Sequence, residues 1–170
     1  LTDVTGVQTC ALPISDGQGA ANNQAETTLR ADLLRQTYDV DGTGVTIGVI
    51  SDSANLVSGG IATSQASGDL PPGNRVQDLL EVWSSGTVDE GRAMMELIYD
   101  IAPGADLRFA SGGATDAQFA TAVNTLVAAG CDVIVDDLNG LSSEPYLQDG
   151  LAAQAVANAS AGGVSYYGSA

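Results

Sequence analysis

Four acidic residues, at three places in the sequence, stand where this chain could move a proton. Asp52, followed by Ser53, ends the β-branched run Val45-Thr46-Ile47-Gly48-Val49-Ile50. Glu90 opens a helix-forming stretch, and Asp136, Asp137 and Leu138 close the apolar run that begins at Cys131. The chain has no His, so the usual general base and the usual metal ligand are both absent. A carboxylate can accept a proton in place of imidazole, but Glu titrates near 4.3 and is a weak base at neutral pH. A second carboxylate beside it raises one of the two values and couples the pair. Asp136-Asp137 reads either as the lining of a cleft or as a cation site, because hard cations need clustered carboxylates. Calcium is compatible with such a pair but not indicated by it, and no cofactor is required.

The elements that position these acids follow from periodicity. Residues 26–38 carry Leu29, Leu33, Leu34 and Tyr38 at helical spacing, which predicts one short amphipathic helix. Asp41-Gly42-Thr43-Gly44 is a turn, and 45–50 reads as a buried strand. Residues 55–74, rich in Gly, Ser and Ala and ending in Pro71-Pro72-Gly73, read as a long irregular excursion. Strands are expected at 75–83, 106–110, 131–135 and 164–167. Helices are expected from 87 to about 101 (stopped by Pro103-Gly104), at 116–129 and at 149–161. In the second of these, Phe119, Ala122, Val123, Leu126 and Val127 share a face. Strands alternating with helices of this length imply an α/β fold of three layers, a mainly parallel sheet with helices on both faces. In such sheets functional groups gather at the carboxyl ends of the strands, where Asp52, Glu90 and Asp137 all fall.

Each acid also has a purely structural reading. Thr87-x-x-Glu90 is a capping box, and an acid in the first helical turn is favoured by the helix dipole by about 0.3–1 kcal/mol. Asp52 suits a turn or a helix cap, and Asp149 suits the cap of the following helix, after a loop that includes Glu144-Pro145. Met94, Met95 and Leu97 are expected in the core, and Cys131 as an inert small hydrophobe.

Length and composition narrow the field. One domain is expected from 170 residues, and 44% hydrophobic residues are enough to bury a core. Five Arg and no Lys against 21 acids give a net charge of −16, which disfavours nucleic acid and anionic membrane surfaces as partners. The absence of any run of 18 apolar residues argues against membrane insertion. A nucleotide-binding reading of Gly42-x-Gly44 is disfavoured because a phosphate loop follows its strand rather than preceding it.

Residues 4–14, Val-Thr-Gly-Val-Gln-Thr-Cys-Ala-Leu-Pro-Ile, resemble a translated sequencing adapter. Residues 1–15 are therefore expected to be an artefact and disordered, with 16–40 a linker and N-terminal helix. Without Cys10 only Cys131 remains, which precludes an internal disulfide.

From residue 41 to 170 five motifs in series resemble subtilisin-like serine peptidases. Gly44 to Ser53 is similar to the block in which a buried strand delivers an Asp followed by Ser or Thr. Glu90-Gly91-Arg92-Ala93-Met94 resembles the block in which His-Gly-Thr begins a helix. Ile101-Ala102-Pro103-Gly104-Ala105 looks like the Ala-Pro turn. Asp132-Val133-Ile134-Val135-Asp136-Asp137-Leu138 is similar to the strand lining the substrate cleft. Val164-Ser165-Tyr166-Tyr167-Gly168-Ser169-Ala170 resembles the strand leading to the oxyanion Asn.

The resemblance implies an endopeptidase acting on polypeptides, extracellular or periplasmic, with Asp52 and Glu90 catalytic and Asp136, Asp137 and Leu138 along the cleft. Glu90 replaces the His, the oxyanion Asn is not reached, and no Gly-Thr-Ser nucleophile block is present. The chain is therefore expected to be the N-terminal part of such a domain, truncated at its C-terminal end and inactive alone. Sedolisins, which share the fold, use Glu for His but pair it with an Asp one turn later, where this chain has Met94. The alternative is a non-catalytic scaffold or interaction domain of a larger extracellular protein.

Overall fold

A computed structural model describes residues 24–84, 88–138 and 148–169. The adapter-like residues 1–15, Thr87 and the Glu144-Pro145 loop lie outside the described residues.

Five strands form one sheet: β1 (Thr46–Ser51), β2 (Val76–Leu80), β3 (Asp106–Ser111), β4 (Val133–Asp136) and β5 (Ser165–Tyr167). Their spatial order is β2-β3-β1-β4-β5, and every pairing is parallel. The central strand β1 pairs with β3 from Thr46↔Asp106 to Ser51↔Ser111, and with β4 from Ile47↔Val133 to Ile50↔Asp136. On the β2 edge, pairing with β3 changes register between Asp78 and Leu80.

Strand alternation splits the core in two. Val49, Leu107 and Phe109 face one side, where they pack with Ile61 of α3 (Gly60–Ser67) and Met95 and Tyr99 of α4 (Glu90–Ile101). Ile50, Ala110 and Ile134 face the other. They meet Phe119, Ala122, Val123 and Leu126 of α5 (Asp116–Ala128) and three alanines of α6 (Leu151–Ala161). Phe109, Ile50 and Leu126 are wholly buried, and each such side chain stabilises the fold by roughly 1.5–3 kcal/mol. The α/β architecture expected from periodicity is therefore present, with a parallel sheet between two helical layers. Among the described residues no helix is long and apolar enough to cross a membrane.

The structure corrects several local readings. The irregular excursion at 55–74 contains α3 and a 3-10 turn at Gly73–Arg75. Its Gly, Ser and Ala content hid a helix that contributes one apolar side chain, Ile61, to the core. The helix expected at 26–38 is two, α1 (Ala25–Leu29) and α2 (Ala31–Tyr38), broken where Arg30 turns left-handed at φ 58°. Its apolar stripe faces solvent: Leu29, Leu33, Leu34 and Tyr38 are all exposed.

What α2 buries instead is Ala31 and the guanidinium of Arg35. Arg35 Nη1 donates to the carbonyls of Asp100 (3.2 Å) and Ile101 (2.8 Å), and Nη2 pairs with Glu26. A cation on the terminal carbonyls of α4 satisfies orphan acceptors and complements the helix dipole. Electrostatics thus outweighed the apolar stripe in setting which face of α2 docks. Leu97 is likewise exposed rather than in the core, because Met95 and Tyr99 take the inward face of α4. Val127 is also partly exposed at the edge of α5.

Replacing Arg35 with Ala removes one partner of a buried pair and should cost about 3 kcal/mol. Urea denaturation is expected to show a lower midpoint with an unchanged m value.

Candidate active site

The carboxyl ends of β1 and β4 and the first turn of α4 carry Asp52, Asp136, Asp137 and Glu90. Asp52 follows β1 directly and is half-buried. Its Oδ1 accepts the backbone N–H of Glu90 at 2.9 Å and that of Ser53. Its carbonyl accepts from Ser111 Oγ at 2.7 Å, which fixes the chain as it leaves the sheet. The first N–H groups of a helix have no partner within it. Asp52 supplies one from outside, placing a negative charge at the positive end of the helix dipole. The structure therefore brings Asp52 onto the first turn of α4, at Glu90.

The Thr87–Glu90 capping box requires correction. The N-cap of α4 is Asp89, and Glu90 is the first helical residue, two positions too early for the box. The Glu90 side chain is exposed. It borders a shallow groove of about 390 Å³ lined by Val88, Asp89, Glu90 and Ala93. One turn on, Met94 packs against the α4-side core, so no second acid faces Glu90 there.

Gly91 lets the helix sit this close to the sheet. A Cβ there would fall 2.2 Å from Phe109 Cε2 and 2.9 Å from the Ser53 carbonyl. That contact gives a physical reason for glycine after Glu90.

Two acids that the sequence reading passed over matter here. Asp89 is buried, and its carboxylate meets Ser53 Oγ (2.9 Å), Leu56 N–H (3.0 Å), Val57 N–H (3.0 Å) and Arg92 Nη1 (3.1 Å). An acid just before a helix with Arg three residues later was the available signal. Glu81, beyond β2, accepts from the Ala54 and Trp83 amides at 3.3 Å. Burial pushes its carboxyl above the usual range, and the charges of Asp78 and Asp89 add to this, against the pull of the two amides.

Across β1, Asp136 ends β4. Its Oδ2 accepts from Tyr166 Oη at 2.7 Å, and its carbonyl accepts the Ser169 N–H at 3.2 Å. Burial raises the Asp136 carboxyl above the ordinary value and the neighbouring Asp137 adds to this, while bonds from Tyr166 and the Leu138 amide oppose it. The Tyr166 hydroxyl is pushed up as well, by burial and then by Asp136.

Asp137 Oδ1 is buried and has no hydrogen-bond partner among the described residues. Leu138 packs against the α5–α6 side of the core. Among the described residues, no three His, Cys, Asp or Glu side chains converge to hold a metal ion. Cys131 is buried and free, and its thiol is pushed up to about 11 by burial, which makes it a poor nucleophile. The cap assigned to Asp149 also fails: α6 is preceded by Gly150, and Asp149 only offers its carbonyl to Gln154 Nε2.

Because the folded-state value of Asp136 is raised, its favourable contribution is full below the unfolded value near 3.9 and is lost as pH rises through the folded value. Asp136→Asn cannot titrate but can still accept from Tyr166. Denaturation series across about pH 3–7 should show wild type losing stability relative to the variant as pH rises. A constant difference across that range would refute the assignment.

No protein-family profile matches the chain, and no curated protein matches it. Among solved structures it is similar to the crystal structure of MycP1 with the N-terminal propeptide removed, with a TM-score of 0.56 and 17% sequence identity. The match covers 87% of this chain and 48% of MycP1, so the chain spans about half the length of that neighbour. At this identity the likeness shows the fold alone: a parallel α/β sheet of subtilisin-like form.

Proposed function

We propose that this chain is the N-terminal part of a serine endopeptidase in which Glu90 replaces histidine as the proton acceptor. The observation that carries the reading is the Asp52 carboxylate lying on the first turn of α4 at Glu90, at the carboxyl rim of a subtilisin-like sheet. In that arrangement a serine hydroxyl gives its proton to the Glu90 carboxylate as its oxygen attacks the scissile carbonyl. The proton then passes to the leaving amine, and water releases the acyl group by the reverse transfer. Asp52 holds negative charge beside the helix start, and Asp136, Asp137 and Leu138 border the bound polypeptide across β1.

The 170 residues hold no Gly-Thr-Ser block, and on this reading a longer chain supplies the nucleophile and the oxyanion donor. The same reading expects the 170 residues alone to be inactive. The coverage of only 48% of MycP1 supports this division. The large negative charge and the resemblance to subtilisin-like peptidases support an extracellular or periplasmic setting.

A longer chain that includes a Gly-Thr-Ser block should hydrolyse an unfolded polypeptide with an optimum on the acid side of neutrality, as a carboxylate base requires. Glu90→Gln should lower kcat by about 100-fold or more, on the scale of general-base catalysis. Peptidase activity that peaks above pH 8, or survives Glu90→Gln, would overturn the reading. A longer chain without peptidase activity would favour the scaffold alternative.

A further inference from the structure

Resting on the reading of Glu90 as proton acceptor, we propose that Asp89 is a positioning residue whose buried carboxylate sets the geometry between Asp52 and Glu90. An Asp at a helix N-cap ordinarily turns its carboxylate onto the amides of its own first turn. Asp89 makes no such bond. Both of its oxygens face the segment that leaves β1. Oδ1 meets Ser53 Oγ (2.9 Å) and the Leu56 amide (3.0 Å), and Oδ2 accepts the Val57 amide (3.0 Å).

The two acids have exchanged duties. The N-cap residue of α4 holds the segment after β1, while Asp52, at the end of β1, caps α4. Each carboxylate ties its own element to the other's backbone, so the pair forms a closed loop of contacts around residues 52–57 and 88–90. Ser53 Oγ lies 2.7 Å from the Val88 carbonyl as well as 2.9 Å from Asp89, sharing its one proton between them.

The Asp89 side chain has no exposed surface, and a buried carboxylate persists only when its charge is compensated. Arg92 supplies the compensation. Its Nη1 stands 3.1 Å from Asp89 Oδ2 and donates to the Val57 carbonyl at 2.8 Å. Arg92 is thereby committed to the same segment. The Glu90 side chain projects to solvent beside this clamp, while its backbone N–H is held by Asp52 within it. The base stays accessible while the backbone that carries it is fixed.

The test uses the 170-residue chain and needs no activity. An amide proton bonded to a carboxylate moves downfield as the acid ionises, so the pH-dependent shift of the Glu90 amide reports its bond to the Asp52 carboxylate. Asp89→Ala should cut that pH-dependent shift by about threefold or more and speed hydrogen exchange at Leu56 and Val57 by at least tenfold. The amides of Val49 and Phe109 should keep their protection.

A Glu90 shift within about a fifth of wild type, with the core still protected, would overturn the proposal, since Asp89 would then anchor only its own segment. If Asp89→Ala unfolds the core, Asp89→Asn decides. It keeps the volume and one acceptor but loses the charge facing Arg92, so an intermediate shift supports the proposal and a wild-type shift overturns it. Glu90→Gln in an active longer chain judges the base assignment separately.

Discussion

Everything at this site depends on a carboxylate from the central strand meeting the free N–H groups of a helix. Asp52 follows β1 and closes the start of α4, and that charge-assisted contact joins the central strand to the helix carrying Glu90. The contact is possible because Gly91 lets the helix approach Phe109 and the Ser53 carbonyl without a Cβ in the way. Steric room and electrostatic attraction converge on three consecutive residues, Asp89, Glu90 and Gly91.

Around that contact the chain manages an excess of negative charge with few cations. Arg92 serves Asp89, Arg35 serves Glu26 and the end of α4, and Arg75 lies beside Asp106. Other acids are held by neutral donors: Asp52 by backbone amides, Asp136 by Tyr166 and the Leu138 amide. Where such donors do not offset burial, as at Asp136 and Glu81, the carboxyl holds its proton to higher pH.

The sheet was legible in the sequence because buried parallel strands are short β-branched runs set between helices, a pattern that survives without homologues. Asp52 and Glu90 were legible for the same reason, since strand ends and helix starts mark the rim. Periodicity misled at residues 26–38: Leu29, Leu33, Leu34 and Tyr38 form a clean stripe, yet the face that docks is the one holding Arg35. Spacing cannot report that the carbonyls at the end of α4 need a donor. The role of Asp89 was hidden likewise, because its partners come from residues 53–57, far away in sequence. Helix α3 was missed because a short helix of Gly, Ser and Ala has little apolar pattern to read.

The slipped pairing on β2 has a consequence for how the molecule behaves in company. An edge strand with regular, unsatisfied backbone groups can recruit a neighbour and seed fibrils. Between Asp78 and Leu80 the register with β3 shifts, and such an irregularity increases local twist, so a flat incoming strand cannot zip along the full edge. Asp78 and Glu81 set carboxylates at the same end, where they repel another copy of so acidic a chain. The β2 border of the sheet is thereby guarded against templated growth.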